Sequence, residues 1–201
     1  MVTYMSFDIF LTHAINGFAG EKSWINWIFE VLSEPDTLWL PAIVLGSYWI
    51  GRWPREAVIA APVMTALVGL VDFIGAQLKH VVARPRPCFS IADLHQFQAC
   101  GSNFSFPSNH AINTATTAAF LQVLYPRSGW VTWPIVALVG LARVYIGAHY
   151  VTDVIGGWII GVFSGTGAAW LLLQWPSFRE PVLLPTPSAS TPSSMTTERY
   201  I

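Results

Sequence analysis

Five stretches of the chain approach the roughly 20 mostly apolar residues needed to cross a bilayer: 37–53, 56–79, 110–125, 130–145 and 154–175. Each is predicted as a membrane helix, and the first is short. The connectors at 52–56 and 126–129 are brief turns, whereas 80–109 and 146–153 are longer and polar. Residues 6–34 follow another pattern. Phe7, Phe10, Leu11, Ala14, Ile15 and Phe18 recur at helical spacing, as do Trp24, Trp27, Ile28, Val31 and Leu32, with polar residues filling the other face. That pattern predicts one or two amphipathic helices lying in the membrane interface, with a short span starting near Trp24 as the second reading.

The expected fold class is therefore all-α: a polytopic membrane helix bundle of about five transmembrane helices plus N-terminal interfacial amphipathic helices. The organisation that follows is 1–35 interfacial, 36–175 membrane-embedded and 176–201 a disordered cytoplasmic tail rich in Pro, Ser and Thr. Gly157, Gly161 and Gly165 mark a small-residue face for close helix packing in the last span.

Composition agrees with the pattern. Of the 201 residues, 53% are hydrophobic and 10% charged, with a mean hydropathy of +0.50, whereas soluble domains carry about 25% charged residues. The formal charge of −1 gives no general attraction to nucleic acid. The first residues carry no basic region ahead of an apolar run, so no removable signal peptide is expected. Arg52, Arg55, Arg127 and Arg179 fall on one side of a five-span arrangement, which the positive-inside rule makes cytoplasmic. Trp49, Trp53, Trp130, Trp133 and Trp175 sit at that side as an aromatic belt. Lys79, Arg84, Arg86 and Arg143 fall outside, against the rule, which suggests a functional use. Cys88 and Cys100 share one polar stretch and form either a disulfide, stapling a lid of Phe89, Ile91, Leu94 and Phe97 over the lipid entrance, or two unrelated thiols. No metal-ligand spacing occurs, and the chemistry is expected to need neither metal nor cofactor.

Three polar clusters mark the outer ends of spans. In the first, Lys79 to Pro87, the prolines at 85 and 87 force Arg84 and Arg86 out of helix, so the span ends and the cations fan out as an anion clamp. In the second, Phe106 to His110, Pro107 and the N-cap candidate Ser108 start a helix whose free N–H groups suit an oxyanion. In the third, Arg143, His149 and Asp153 follow one another; a helix beginning near His149 would put Asp153 one turn on, able to orient the imidazole. Ionisable residues at the membrane boundary default to a functional reading. Phosphoryl transfer without a metal needs cations for the equatorial oxygens, a nucleophile in line and an acid for the leaving oxygen. Lys79, Arg86 and Arg143 can supply the first, His149 held by Asp153 the second, and His110 the third.

Lys79 with Arg86-Pro87, then Pro107-Ser108-Asn109-His110, then Arg143 with His149 and Asp153 resemble in order and spacing the three signature motifs of the type 2 phosphatidic acid phosphatase (PAP2) superfamily. The resemblance covers about residues 36–175 and points to the bacterial membrane lipid phosphatases of that superfamily. It implies phosphate binding by Lys79, Arg86, Ser108 and Arg143, acid catalysis by His110, and a phosphohistidine at His149 supported by Asp153; Asn109 tolerates unusual backbone angles, so its N–H can also face phosphate. Two positions depart from the motifs: Asn109 stands where glycine is usual, its side chain expected to narrow the pocket, and Ala142 where serine is usual.

The expected function is hydrolysis of a lipid-linked phosphate or diphosphate on the outer face of the bacterial cytoplasmic membrane, with undecaprenyl diphosphate the leading substrate. Phosphatidylglycerol phosphate, phosphatidic acid and a lipid A phosphate are the alternatives, and transfer to an acceptor other than water is also open. The reading from another class is a non-catalytic anion- or lipid-binding membrane protein, for which the cations would suffice without the histidines. Partners are membrane lipids and the lipid substrate, with the oligomeric state open. Arg84 is expected to have a supporting role at most, and Asp72 to pair with Lys79.

Overall fold

A computed structural model describes residues 2–19, 24–34, 39–97 and 104–179. The described chain is helical: α1 (Val2–Asn16), α2 (Trp24–Ser33), α3 (Trp39–Arg52), α4 (Pro54–Val82), α5 (Pro87–Ser90), α6 (Asn109–Leu124), α7 (Gly129–Tyr145), α8 (Val151–Gln174) and α9 (Pro176–Arg179). The all-α expectation holds, and each of the five apolar stretches contains one long helix. Two of these, α4 and α8, are long and apolar enough by themselves to cross a membrane. The tail expected to be disordered lies, from residue 180 on, outside the described residues.

Local chemistry explains the helix ends. Pro54 opens α4 at a first-turn position, where its missing N–H costs nothing. The same helix stops at Ala83, which takes the left-handed conformation (φ 50°) and donates its N–H to the Lys79 carbonyl. Pro85 and Pro87 follow, and Arg86 is extended (φ −73°, ψ 155°), as the two prolines predict.

Helix α6 is the centre of the bundle, with Ala111, Ile112, Ala115, Thr116, Ala119 and Phe120 buried. It lies along the glycine face of α8. A Cβ added at Gly157, Gly161 or Gly165 would meet the carbonyl oxygen of Ser108, Ile112 or Thr116 at 2.7, 2.5 and 2.3 Å. The backbones approach too closely for any side chain, which fixes the register between α6 and α8. At one end of the bundle Trp49 and Trp53 pack on Tyr125. Of the expected aromatic belt, Trp130 and Trp175 are exposed at this end, while Trp49 is buried.

Helix α1 has the opposite polarity from a helix on a soluble protein. Asp8, Thr12 and Asn16, one turn apart, are buried against the bundle, while Phe7, Phe10 and Phe18 face outward. Trp24 and Trp27 of α2 are exposed in the same way. An outward apolar face and an inward polar stripe are what a helix bordering lipid would show.

Candidate active site

The end of the bundle away from the Trp49–Tyr125 cluster collects the three polar clusters. His149 precedes α8, with Tyr150 as N-cap. The helix expected near His149 begins at Val151, because the 146–150 turn is held by α7: the N–H groups of Ala148 and His149 both donate to the Arg143 carbonyl. Asp153 still reaches the ring, its Oδ2 lying 3.6 Å from His149 Nδ1, a charge contact longer than a hydrogen bond. The same Oδ2 accepts the Tyr150 N–H at 2.9 Å, so one carboxylate both caps the helix and faces the imidazole.

Arg86 and His149 are adjacent, with Nη1 3.3 Å from Nε2, and the same Nη1 donates to the Ala148 carbonyl at 2.9 Å. His149 is nearly fully buried. Burial, followed by the charges of Arg143, Arg86 and Lys79 and by His110, holds its pKa well below the ordinary histidine value. A neutral imidazole with Asp153 at Nδ1 favours the proton on that nitrogen and leaves the Nε2 lone pair toward Arg86. Burial also lowers the Arg86 pKa, against the opposing pull of Asp153.

Ser108 occupies the N-cap position of α6, but its Oγ makes no capping bond. Its N–H donates to the Asp153 carbonyl at 3.1 Å, tying the second cluster to the third. Ser108 Oγ, Arg143 Nε and His149 Nδ1 are buried without a hydrogen-bond partner. Buried polar atoms are normally satisfied; His149 Nδ1 faces Asp153, and the other two are donors that suit an anion. Lys79 Nζ donates to the Pro107 carbonyl. Arg143 Nη1 donates to the Ser33 carbonyl at the end of α2, at 2.9 Å.

Two side chains differ from expectation. Asp72 does not pair with Lys79; it accepts from Asn109 Nδ2 (3.0 Å) and Asn113 Nδ2 (2.8 Å). Asn109 therefore turns toward α4, where the absence of a side chain at Gly75 makes room for it. Cys88 is disulfide-bonded, and Cys100, the chain's other cysteine, lies outside the described residues. Of the expected lid, Phe97 stacks on Tyr145 and Leu94 packs at Gly147.

Arg84 reaches the site through Asp153. Its Nη1 donates to Asp153 Oδ1 (2.7 Å), its Nη2 to Asp8 Oδ2 (2.6 Å), and its guanidinium carbon lies 3.9 Å from the centre of the Tyr150 ring. Asp8, Thr12 and Asn16 were not expected at the site at all. Their signal was present as a polar stripe with a period of four on an aromatic helix.

A family model described as the PAP2 superfamily matches residues 57–179. The chain is 34% identical to the phosphatidylglycerophosphatase B of Bacillus subtilis, over 70% of this chain and 72% of that protein. It is 27% identical to the undecaprenyl-diphosphatase BcrC of the same organism, over 80% of this chain and 81% of the relative. The crystal structure of a transmembrane PAP2-type phosphatidylglycerolphosphate phosphatase from Bacillus subtilis superimposes with a TM-score of 0.67 and 26% identity, covering 85% of this chain and 87% of that one.

Proposed function

The chain belongs to the PAP2 superfamily, and from that premise we propose that it hydrolyses a lipid-linked phosphate or diphosphate through a phosphohistidine at His149, with undecaprenyl diphosphate the first substrate to test. It is a membrane phosphatase, as its relatives are. One observation carries the catalytic reading. His149, His110 and Asp153 share the polar end of the bundle with Lys79, Arg86, Arg143 and the unpartnered Ser108 hydroxyl.

In this reading Lys79, Arg86, Ser108, Arg143 and the α6 N-terminus from Asn109 bind the phosphoryl oxygens. Asn109 contributes its backbone N–H, its side chain being bonded to Asp72. His149 Nε2 attacks phosphorus, the bond from phosphorus to the leaving oxygen breaks, and His110 gives that oxygen its proton. His110 then takes a proton from water, whose oxygen attacks phosphorus as the P–N bond breaks. Asp153 balances the positive charge that the His149 ring carries in between. Donors fixed in a water-poor pocket supply most of the stabilisation. The active end faces the extracytoplasmic side, because Arg52, Arg55 and Arg127 belong to the opposite end.

Phosphatidylglycerol phosphate is the second substrate reading, favoured by the 34% identity to a phosphatidylglycerophosphatase. Purified protein in detergent with EDTA should release phosphate from one of these lipids, and His149→Ala should lose at least about 10³-fold in kcat while staying folded. Undiminished release by His149→Ala would refute the phosphohistidine, and a strict Mg²⁺ requirement would refute metal-free catalysis.

A further inference from the structure

The family match begins at residue 57, yet the N-terminal helices reach into the site. Each member of the buried α1 stripe bonds a segment that carries catalytic side chains. Asp8 Oδ1 accepts the Thr152 N–H at 3.2 Å, and Thr12 Oγ1 accepts the Val151 N–H at 3.4 Å. Asn16 Nδ2 donates to the Tyr145 and His95 carbonyls at 2.7 and 2.9 Å, and its Oδ1 accepts the His95 N–H at 2.8 Å. Thr12 and Asn16 are neutral, and helix docking accounts for them. Asp8 differs, being a carboxylate only 4% exposed whose partner, Arg84, also binds Asp153.

The charges of this chain of contacts are informative. Asp153 alone beside His149 would offset the charge of an imidazolium or phosphoimidazolium. Arg84, 2.7 Å from Asp153, cancels that effect. A second carboxylate on the far side of the guanidinium restores a net charge of −1 to the Asp8–Arg84–Asp153 group. We infer that Asp8 is a positioning residue of the active site: it shares the Arg84 guanidinium with Asp153, so that Arg84 fixes the Asp153 carboxylate without neutralising it toward His149. Helix α1 thereby becomes part of the catalytic apparatus as well as a membrane contact. The inference rests on the phosphohistidine reading.

His149 is faced by Lys79 from α4, Arg86 from the segment after it, His110 from α6, Arg143 from α7 and Asp153 from α8. Against so many cations, loss of one negative charge from the Asp8 group disfavours the imidazolium further. Asp8→Asn keeps the shape and the oxygen that accepts the Thr152 N–H. It should lower kcat about tenfold, the size one charge exerts at about 12 Å through an effective dielectric of about 20. KM should stay within about twofold, and the acid limb of kcat/KM should move to lower pH. Asp8→Glu should restore both. Thr12→Val, which loosens the same helix without touching charge, should lower the melting temperature and leave the acid limb in place.

The assay is phosphate release from undecaprenyl diphosphate by the purified full chain, with phosphatidylglycerol phosphate used if the wild type prefers it. A wild-type kcat and pH profile in Asp8→Asn would overturn the inference, and so would a loss of rate with the acid limb unmoved, as in Thr12→Val. If Asp8→Asn does not purify as a single species, Arg84→Gln carries the test. Removing the cation between the carboxylates should move the acid limb to higher pH, and an unmoved limb overturns the inference. An inactive wild type, or an active His149→Ala, would instead count against the proposed function, so the two failures are distinct.

Discussion

Asn109 replaces the glycine of the motif it resembles, yet its amide turns from the phosphate side to the Asp72 carboxylate on α4. Asn109→Gly should therefore leave KM within about twofold and cost about 2 kcal/mol of stability, from a lost bond to a charged acceptor and a glycine in a first helical turn. Michaelis kinetics beside thermal unfolding in detergent would check this, and a several-fold lower KM would mean that the side chain narrows the pocket after all. His149 gives a second expectation. Its folded pKa lies below the unfolded value of about 6.5, so below that pH the unfolded chain binds the extra proton. Stability then falls with pH by up to about 1.4 kcal/mol per unit until the folded pKa is reached. Melting temperatures between pH 7.5 and 5 should fall less steeply in His149→Asn than in the wild type. At this scale the motif residues were legible because phosphoryl transfer limits which side chains can serve, while their order and spacing were legible from the resemblance to the PAP2 motifs. The Asn109 rotamer was not, since it depends on the space at Gly75, a residue 34 positions away on another helix.

The seam between α6 and α8 joins Ser108 and His110 on one helix to Asp153 on the other. At Gly161 an added Cβ would meet backbone on α6, the Ile112 carbonyl at 2.5 Å and the Thr116 nitrogen at 2.8 Å, and neither can rotate away. Gly161→Ala should cost about 1–3 kcal/mol and lower activity by parting the two catalytic helices. Gly167→Ala on the same helix meets nothing within 4 Å and should be neutral or stabilising by up to about 1 kcal/mol. Paired thermal and kinetic measurements on the two variants would check the contrast. The glycine repeat announced this seam because its four-residue period matches one helical face. Helix α1 was legible as an element but not in its orientation. The periodicity of Asp8, Thr12 and Asn16 is the same whether the stripe meets water or protein, and only the packing of that stripe against the bundle, with Phe7, Phe10 and Phe18 turned outward, decides.

Over the whole molecule the charges divide by end as well as by number. Lys79, Arg84, Arg86 and Arg143 lie at the catalytic end, where each has a carboxylate, carbonyl or imidazole partner. Arg52 ends α3, Arg55 lies in the first turn of α4 and Arg127 lies between α6 and α7, all at the end marked by Trp49, Trp53 and Tyr125. A count of positive charges per loop cannot separate these groups, which is why the catalytic cluster looked like a breach of the positive-inside rule. Cations committed to a site are not free to set topology, and the proposed orientation discounts them, so that the Arg52, Arg55 and Arg127 end should face the cytoplasm. Helix α8 runs from the catalytic end to the other, so the chain after Arg179 should be cytoplasmic. A green fluorescent protein fused after residue 201 should then fluoresce in a bacterial host, and a periplasm-dependent alkaline phosphatase at the same point should stay inactive. The reverse pattern would put the histidines on the cytoplasmic face, and the search for the substrate would move to lipid phosphates of the inner leaflet.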